Sequence, residues 1–236
     1  MIDVRPPGTL YVVATPIGNL EDVSERALRT LREVDRIAAE DTRRTAKLLA
    51  HYGIATALTS YHDAAERRKA PELVAAILAG ASLALVSDAG TPLLSDPGYR
   101  LVRAALDAGI DVVPIPGASA AIALLSVSGL ASDRFVFEGF LPQREGRRRR
   151  RLEALREEPR TIIVYESPHH VVRALGEIEA ALGDREIVVG RELTKVFEEI
   201  LRGRLSAVRA AIVAGTPRGE YTIAISGAPE ADADAD

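Results

Sequence analysis

The sequence predicts an α/β protein made of two α/β domains. Short apolar, β-branched runs alternate with helical stretches along the first half, and loops rich in Gly, Pro and Asp follow the runs. Alternation of this kind builds a mostly parallel sheet covered on both faces. A Pro-Ile-Pro-Gly stretch at 114–117 then interrupts the pattern, and a second set of elements follows it. The boundary placed there gives an N-terminal domain 1–116 and a C-terminal domain 117–229. Residues 230–236, a polar Ala/Asp tail, are expected to be disordered.

Residues 9–14 (TLYVVA) read as a buried strand entering the turn 15–19 (TPIGN). A helix is expected next, with Asp22 as its cap, Glu25 three residues on, and Val23, Ala27, Leu28 and Leu31 on one face. Residues 37–39 end a strand, 42–51 and 71–79 read as helices, 83–87 as a strand, 99–108 as a helix and 111–115 as a strand. A helix of small residues, 118–128, leads into the second half. There 134–138, 161–166, 186–192, 198–202 and 220–226 read as strands, with helices near 147–156, 169–182 and 206–214.

With 236 residues, 47% of them hydrophobic and 27% charged, the chain is long enough to bury such cores. It has no cysteine, which excludes disulfides and thiolate metal sites, and its four histidines have no zinc-like spacing. No metal is expected. There is no basic segment leading into an apolar one at the start, and no run of the roughly 18 apolar residues that span a bilayer. A cytoplasmic protein without a membrane partner is the expectation. The formal charge is −4, but four acids lie in the tail, so the remainder balances 30 bases against 30 acids. Where its arginines cluster therefore matters more than its net charge.

The strongest local signal is 87–98 (SDAGTPLLSDPG), which directly follows a strand. Ligands of open α/β sheets bind outside the carboxyl ends of strands. Gly90 permits close backbone approach, the prolines stiffen the turn, and Asp88 offers a carboxylate to an amine or a ribose hydroxyl. The same residues also suit a proline-rich turn in which Asp96 caps the next helix. The loop 14–19 is a second ligand candidate. Neither G-x-G-x-x-G nor a Walker A sequence occurs, which argues against a nicotinamide cofactor or P-loop ATP. A third loop, 116–119 (PGAS), opens a helix whose free N–H groups suit a carboxylate, or is a simple helix start.

Glu40-Asp-Thr-Arg-Arg44 places two acids and two arginines at a strand's end. Asp41 is either an N-cap or a partner for a sugar hydroxyl; Arg43 and Arg44 are either solvated or bound to phosphate. His62, in Ser60-Tyr-His-Asp63, is the histidine best placed by context for proton transfer, although a lone histidine is more often structural. Arg147, Arg148, Arg149, Arg150 and Arg151 wrap every side of one helix. Nearby glutamates would account for a salt-bridged face, but five consecutive arginines favour RNA phosphate. Few aromatics accompany them, so base stacking is not evident.

Taken in order, the segments GTLYVVATPIGNL (8–20), AEDTR (39–43), SYH (60–62), VSDAGTP (86–92), SDPG (95–98), PG (116–117), EGFLP (138–142), YESPH (165–169) and GRELTK (190–195) resemble the cytidine 2′-O-methyltransferase branch of the tetrapyrrole methylase superfamily. The resemblance runs from about residue 8 to 226. It implies two α/β domains of the class III type with S-adenosyl-L-methionine in the cleft between them, and usually a homodimer. The implied cofactor contacts are Pro16, Asp88, Ala89, Gly90, Thr91, Ser119, Ala120, Phe140, Leu141, Leu193 and Thr222. The implied substrate is 16S rRNA in the small ribosomal subunit. The sequence departs from the family at His170, commonly Arg in relatives, and at Ala64-Ala65, where relatives often have His-Asn. Many relatives also continue into a small helical C-terminal extension, where this sequence has its acidic tail.

The reaction so implied is an in-line displacement at a sulfonium methyl group by a ribose 2′-oxygen. Orientation can contribute about 7 to 11 kcal/mol, whereas a general base gives about 10²- to 10⁴-fold, so positioning should dominate. Asp41, His62 and Glu192 are the candidates for proton acceptance or hydroxyl alignment, with Arg43 and Lys195 holding phosphate. A tetrapyrrole carbon methyltransferase and a non-catalytic RNA-binding or assembly module are the competing readings. A hydrolase built on Asp88 and Asp96 is more distant, because no metal constellation accompanies them.

Overall fold

A computed structural model describes residues 6–229; the expected tail 230–236 lies outside them. The chain divides into two compact units, with the division between Ser119 and Ala120. In the first unit β1 (Leu10–Val13), β2 (Arg36–Ala39), β3 (Leu58–Ser60), β4 (Leu83–Val86) and β5 (Val112–Ile115) form one sheet in the order β3-β2-β4-β1-β5. Every pairing in it is parallel. Its strands are short, and the central β2 and β4 are, but for Arg36, apolar and buried, as strands covered on both faces must be.

Helices α1 (Glu25–Glu33) and α2 (Thr42–His51) cover one face, where Ala27, Leu31 and Leu49 pack with Val13, Ile37, Ala39 and Val86. Helices α3 (Glu66–Leu78) and α4 (Tyr99–Asp107) cover the other, where Leu73, Ile77, Leu101 and Ala105 meet Leu10, Ala38, Leu83 and Leu85. The alternating parity along each strand assigns those residues to the two faces. Because α2 leaves β2 on one face and α4 leaves β4 on the other, the loops after these neighbouring strands diverge. That divergence makes the crevice in which open α/β sheets bind ligands.

Two local readings are corrected, and one strand was not foreseen. Ser24, not Asp22, caps α1: its hydroxyl accepts the Ala27 N–H at 3.1 Å, while Asp22 lies in a separate 3-10 turn, Leu20–Asp22. Helix α3 begins at Glu66 rather than at Pro71. Its polar first turn carries no apolar periodicity, and Glu66 is buried there because its Oε1 accepts the Gly98 N–H at 2.7 Å. Strand β3, only three residues and two of them polar, has no strand signature of its own and was not anticipated.

In the second unit β6 (Phe135–Phe140), β7 (Thr161–Glu166), β8 (Glu186–Arg191), β9 (Glu199–Arg204) and β10 (Tyr221–Ile225) form a sheet in the order β6-β7-β10-β8-β9. Only β6 and β7 run parallel. The mostly parallel pattern is therefore confined to the first unit. Seven residues, 192–198, join β8 to β9, too few for a crossover, so that pair is antiparallel. Strand β10 enters antiparallel between β7 and β8. Helices α5 (Ala120–Ser128), α6 (Glu145–Ala154), α7 (Val171–Leu182) and α8 (Leu205–Ala214) accompany this sheet. Its core joins Leu152, Leu175, Ile178, Val208 and Ile212 of α6, α7 and α8 to Ile162, Val189 and Ile223 of the strands. Among the described residues no helix is long and apolar enough to cross a membrane.

Ser24→Ala should lower unfolding free energy by about 1 kcal/mol, the usual worth of such a cap, and Asp22→Ala by less than about 0.5. Urea titration of both variants measures the difference.

Candidate functional site

All five carboxyl ends of the first sheet lie on one edge, which brings the loops after β1, β2, β3 and β4 together. Thr15 and Gly90 pair as an antiparallel bridge, with N···O distances of 2.9 and 3.0 Å. Asp88 Oδ1 accepts the Asp41 N–H at 2.9 Å, and Arg44 lies 3.4 Å from Asp88 Oδ2. Thr91 Oγ1 donates to the Ala118 carbonyl at 3.1 Å, fastening the 87–98 loop to the 116–119 loop. Pro16, Asp88, Ala89, Gly90, Thr91, Asp41, Arg43 and Arg44 therefore lie on connected loops. Thr15, Pro16, Ser87 and Asp88 also line a pocket of about 160 Å³ whose remaining wall is Leu20 and the first turns of α2.

The 87–98 loop is held in costly backbone. Gly90 and Gly98 have φ of +82° and +140°, and the non-glycine residues Leu93 and Ser95 have φ of +73° and +69°. A Cβ at Gly98 would lie 2.8 Å from Leu85 Cδ2, so this position requires glycine. Glu66, clamped between the Gly98 N–H and Arg100, fixes the far end of the loop. Loops that keep such strain are often functional.

The edge concentrates negative charge. Burial, reinforced by Asp88, Asp96 and Asp63, pushes the Glu40 carboxyl up to about 7, against the opposing hydrogen bond from the Asp88 backbone. Glu40 Oε2 is buried with no hydrogen-bond partner. Asp41 behaves oppositely. It caps α2 by accepting the Arg43 N–H at 2.9 Å and takes the Arg43 guanidinium on both oxygens, at 3.1 and 2.8 Å. That partner holds its carboxyl down at about 2. Asp41 is thus a firmly ionised, fully engaged group, and Arg43 is turned onto it. His62 is exposed after β3, and no side-chain hydrogen bond of its imidazole is found among the described residues.

In the second unit Tyr165, which the sequence reading did not single out, is the hub. Its hydroxyl accepts the Ala121 N–H at 3.2 Å, its ring meets the Phe140 ring edge-to-face at 5.7 Å, and it pairs across the sheet with Thr222 and Phe140. Ala120, Phe140 and Thr222 are thereby gathered around one aromatic side chain. Its place in YESPH, at the end of a strand, was the available signal. Leu193 folds back over Gly190, where a Cβ would lie 2.8 Å from Leu193 Cδ2. Leu141 is buried in the core of this unit. Ser119 Oγ, just before α5, is buried without a partner.

The turn between β8 and β9 is a second strained loop, with φ of +50° at Glu192 and +66° at Thr194. Lys195 Nζ bridges Glu192 Oε1 at 2.7 Å and Glu220 Oε2 at 2.9 Å, and Glu192 Oε1 also accepts the Glu220 N–H. Burial raises the Glu192 carboxyl, but Lys195 and the Glu220 N–H more than offset it and leave it lowered.

The arginine run is divided by its helix. Arg148 is buried and ion-paired with Glu177, and its guanidinium also donates to the Pro142 and Gln143 carbonyls, so it is withdrawn from the expected RNA surface. Arg151 grips Glu138, and Arg149 lies 3.4 Å from Glu153. Arg147 and Arg150 are exposed and have no acidic partner among the described residues. Likewise, no cluster suited to a metal ion occurs among the described residues.

Known proteins resemble this chain throughout. The family model for Tetrapyrrole (Corrin/Porphyrin) Methylases matches residues 9–209. A protein named ribosomal RNA small subunit methyltransferase I from Synechocystis sp. is 52% identical, over 95% of this chain and 81% of its own. One of the same name from Xylella fastidiosa is also 52% identical, over 96% of this chain and 84% of its own. Among solved structures, the uroporphyrin-III C-methyl transferase from Thermus thermophilus, complexed with S-adenyl homocysteine, shares the fold with a TM-score of 0.66. It is 22% identical and covers 92% of this chain and 97% of that one.

The Glu40 proton has a consequence for stability. A carboxyl raised from 4.5 to about 7 in the folded protein binds a proton that the unfolded chain releases, so its contribution is complete below about pH 4.5 and is lost as pH rises through about 7. Glu40→Gln should therefore gain stability relative to the parent as pH is raised across that window. Denaturation at several pH values checks the sign.

Proposed function

The chain belongs to the tetrapyrrole methylase family, and from that membership we propose that it transfers the methyl group of S-adenosylmethionine to the ribose 2′-hydroxyl of a cytidine in the 16S RNA of the small ribosomal subunit. One observation carries this reading: half of the residues, over nearly the whole chain, are identical to those of proteins named as methyltransferases of that RNA. The resemblance of its motifs to the cytidine 2′-O branch supplies the acceptor atom and the homodimeric assembly.

The residues present fit a methyl donor. Gly90 allows backbone approach at a positive φ, and a Cβ there would meet Ile17 Cγ2 at 3.2 Å. The partnerless Ser119 Oγ, at the start of α5, is a polar group that a bound ligand would satisfy. Pro16, Asp88, Ala89, Gly90, Thr91 and Ser119 of the first unit and Ala120, Phe140, Leu141, Leu193 and Thr222 of the second are the proposed contacts. When bound, S-adenosylmethionine supplies a methyl group already activated by its sulfonium. The protein's own task is then mainly to align donor and acceptor and to accept one proton.

Asp41 and Glu192 are both held ionised by cations, which makes them weak bases and good anchors. We assign Asp41 to fixing α2 and the Asp88 loop, and Glu192 with Lys195 to fixing the β8–β9 turn. His62, unencumbered on the same sheet edge, is the remaining acceptor. Arg147 and Arg150 carry the unpaired charge that suits RNA phosphate on α6.

Labelled S-adenosylmethionine incubated with small ribosomal subunits lacking the modification should yield one 2′-O-methylcytidine in the RNA; no transfer would exclude this function. In the same assay Asp41→Asn should lose less than about tenfold in rate, whereas His62→Gln should lose about 10²-fold, the lower end for a general base.

A further inference from the structure

The pocket between the β1 loop, the β4 loop and α2 carries residues, Leu20, Leu48, Arg44 and Lys47, that are not among the proposed donor contacts. One side is apolar, formed by Pro16, Leu20 and Leu48. The rim carries two cations one helical turn apart, Arg44 and Lys47, which face the same way on α2. Lys47 is exposed and has no ion-pair partner among the described residues. Arg44 reaches Asp88 only at 3.4 Å and is itself largely exposed. Arg43, their neighbour, faces away from this role because Asp41 holds it at both oxygens.

An apolar wall beneath the unpaired Lys47 and the exposed, Asp88-paired Arg44 suits a group that is hydrophobic at one end and anionic at the other. A nucleotide has that form, with a base to lie on side chains and a phosphate to attract the cations. At about 160 Å³ the pocket is of the scale of a single base.

Resting on the function proposed above, we infer that this pocket seats the target nucleotide. Its base lies on Leu20 and Leu48, its phosphate is held by Lys47 beside Arg44, and its ribose faces the Pro16 and Asp88 side of the pocket, which adjoins the proposed donor contacts. The nucleotide must leave its stack to enter. That costs a few kcal/mol and is least for a single-stranded base, so a looped or unpaired cytidine is the favoured substrate.

The full chain, unaltered and as Lys47→Gln and Leu20→Trp, tests this. Cytidine 5′-monophosphate titrated into the parent should shift the amide resonances of Ser87, Asp88 and Lys47. Lys47→Gln should weaken this binding about tenfold, and Leu20→Trp, which fills the pocket, should remove it. With small subunits, Lys47→Gln should raise KM by a similar factor and reduce the salt dependence of binding by about one counterion. S-adenosylmethionine affinity, read by calorimetry, should be unchanged in Lys47→Gln. The inference is overturned if the nucleotide causes no shifts at these residues, if Lys47→Gln binds it as well as the parent, or if Lys47→Gln weakens the methyl donor instead. Lys47 is exposed, so its variant folds whether or not Leu20→Trp does. The nucleotide titration needs no turnover, so it decides the pocket even if the parent fails to methylate subunits.

Discussion

A parallel sheet puts every strand's carboxyl end on one edge, and everything the first unit offers to chemistry follows from that. The register of β2, β4 and β1 places Ala39 beside Val86 and Val12 beside Leu85, so residues 40, 87 and 14 emerge as neighbours although they are far apart in sequence. Helix α2 departs on one face and α4 on the other, and the crevice between their loops cannot close. Backbone groups left open there are satisfied across strands: Asp88 accepts the Asp41 N–H, and Thr15 pairs with Gly90. Each loop is held in place by another loop, which is how short connections without regular structure stay rigid.

That rigidity carries strain. Among the described residues, four non-glycine residues have positive φ, and all four lie in two loops: Leu93 and Ser95 after β4, Glu192 and Thr194 after β8. Each such residue costs on the order of 1 to 3 kcal/mol unless its surroundings over-determine it. Glu66 clamps the first loop, and the Glu192–Lys195–Glu220 ion cluster clamps the second. Both clamps use charged groups that are partly shielded from water. A methyl transfer whose barrier is lowered chiefly by alignment needs this kind of stiffness more than it needs a strong base.

Much of this was legible in the sequence, for identifiable reasons. Helix α2 has the expected limits because Asp41 caps its start, one of the two roles the sequence allowed it, and Gly53 follows soon after His51. Strand β7 is buried over its first four residues, three of them the β-branched apolar run 162–164, and it too has the expected limits. The first turn of α3 was hidden because Glu66 is buried for the sake of Gly98, a contact 32 residues away that no local pattern encodes. The antiparallel entry of β10 was hidden for the same reason: strand direction is set by partners, not by composition. At the candidate site the loops were visible, because glycine, proline and aspartate mark them. Which carboxylates are engaged was not visible, since Glu40 and Asp41 are adjacent in sequence yet driven to opposite protonation behaviour by burial and by Arg43.

The arginines show how far composition misleads without geometry. A run of five suggests a uniform basic face, but a helix turns each residue by about 100°, so one face must meet the protein. Arg148 is on that face, and Glu177 neutralises it there. Arg151 and Arg149 find acids on β6 and on their own helix, which leaves Arg147 and Arg150 with uncompensated charge. On α2 the same sorting separates Arg43, bound to Asp41, and Arg44, paired with Asp88, from Lys47 at the pocket rim, which has no acidic partner among the described residues. An anion is drawn to cations that have no better partner, because displacing an existing carboxylate returns little free energy in water. The positions that can attract RNA are therefore the few cations the fold leaves unpaired, and their placement on α2 and α6 was fixed by packing on the opposite side of each helix.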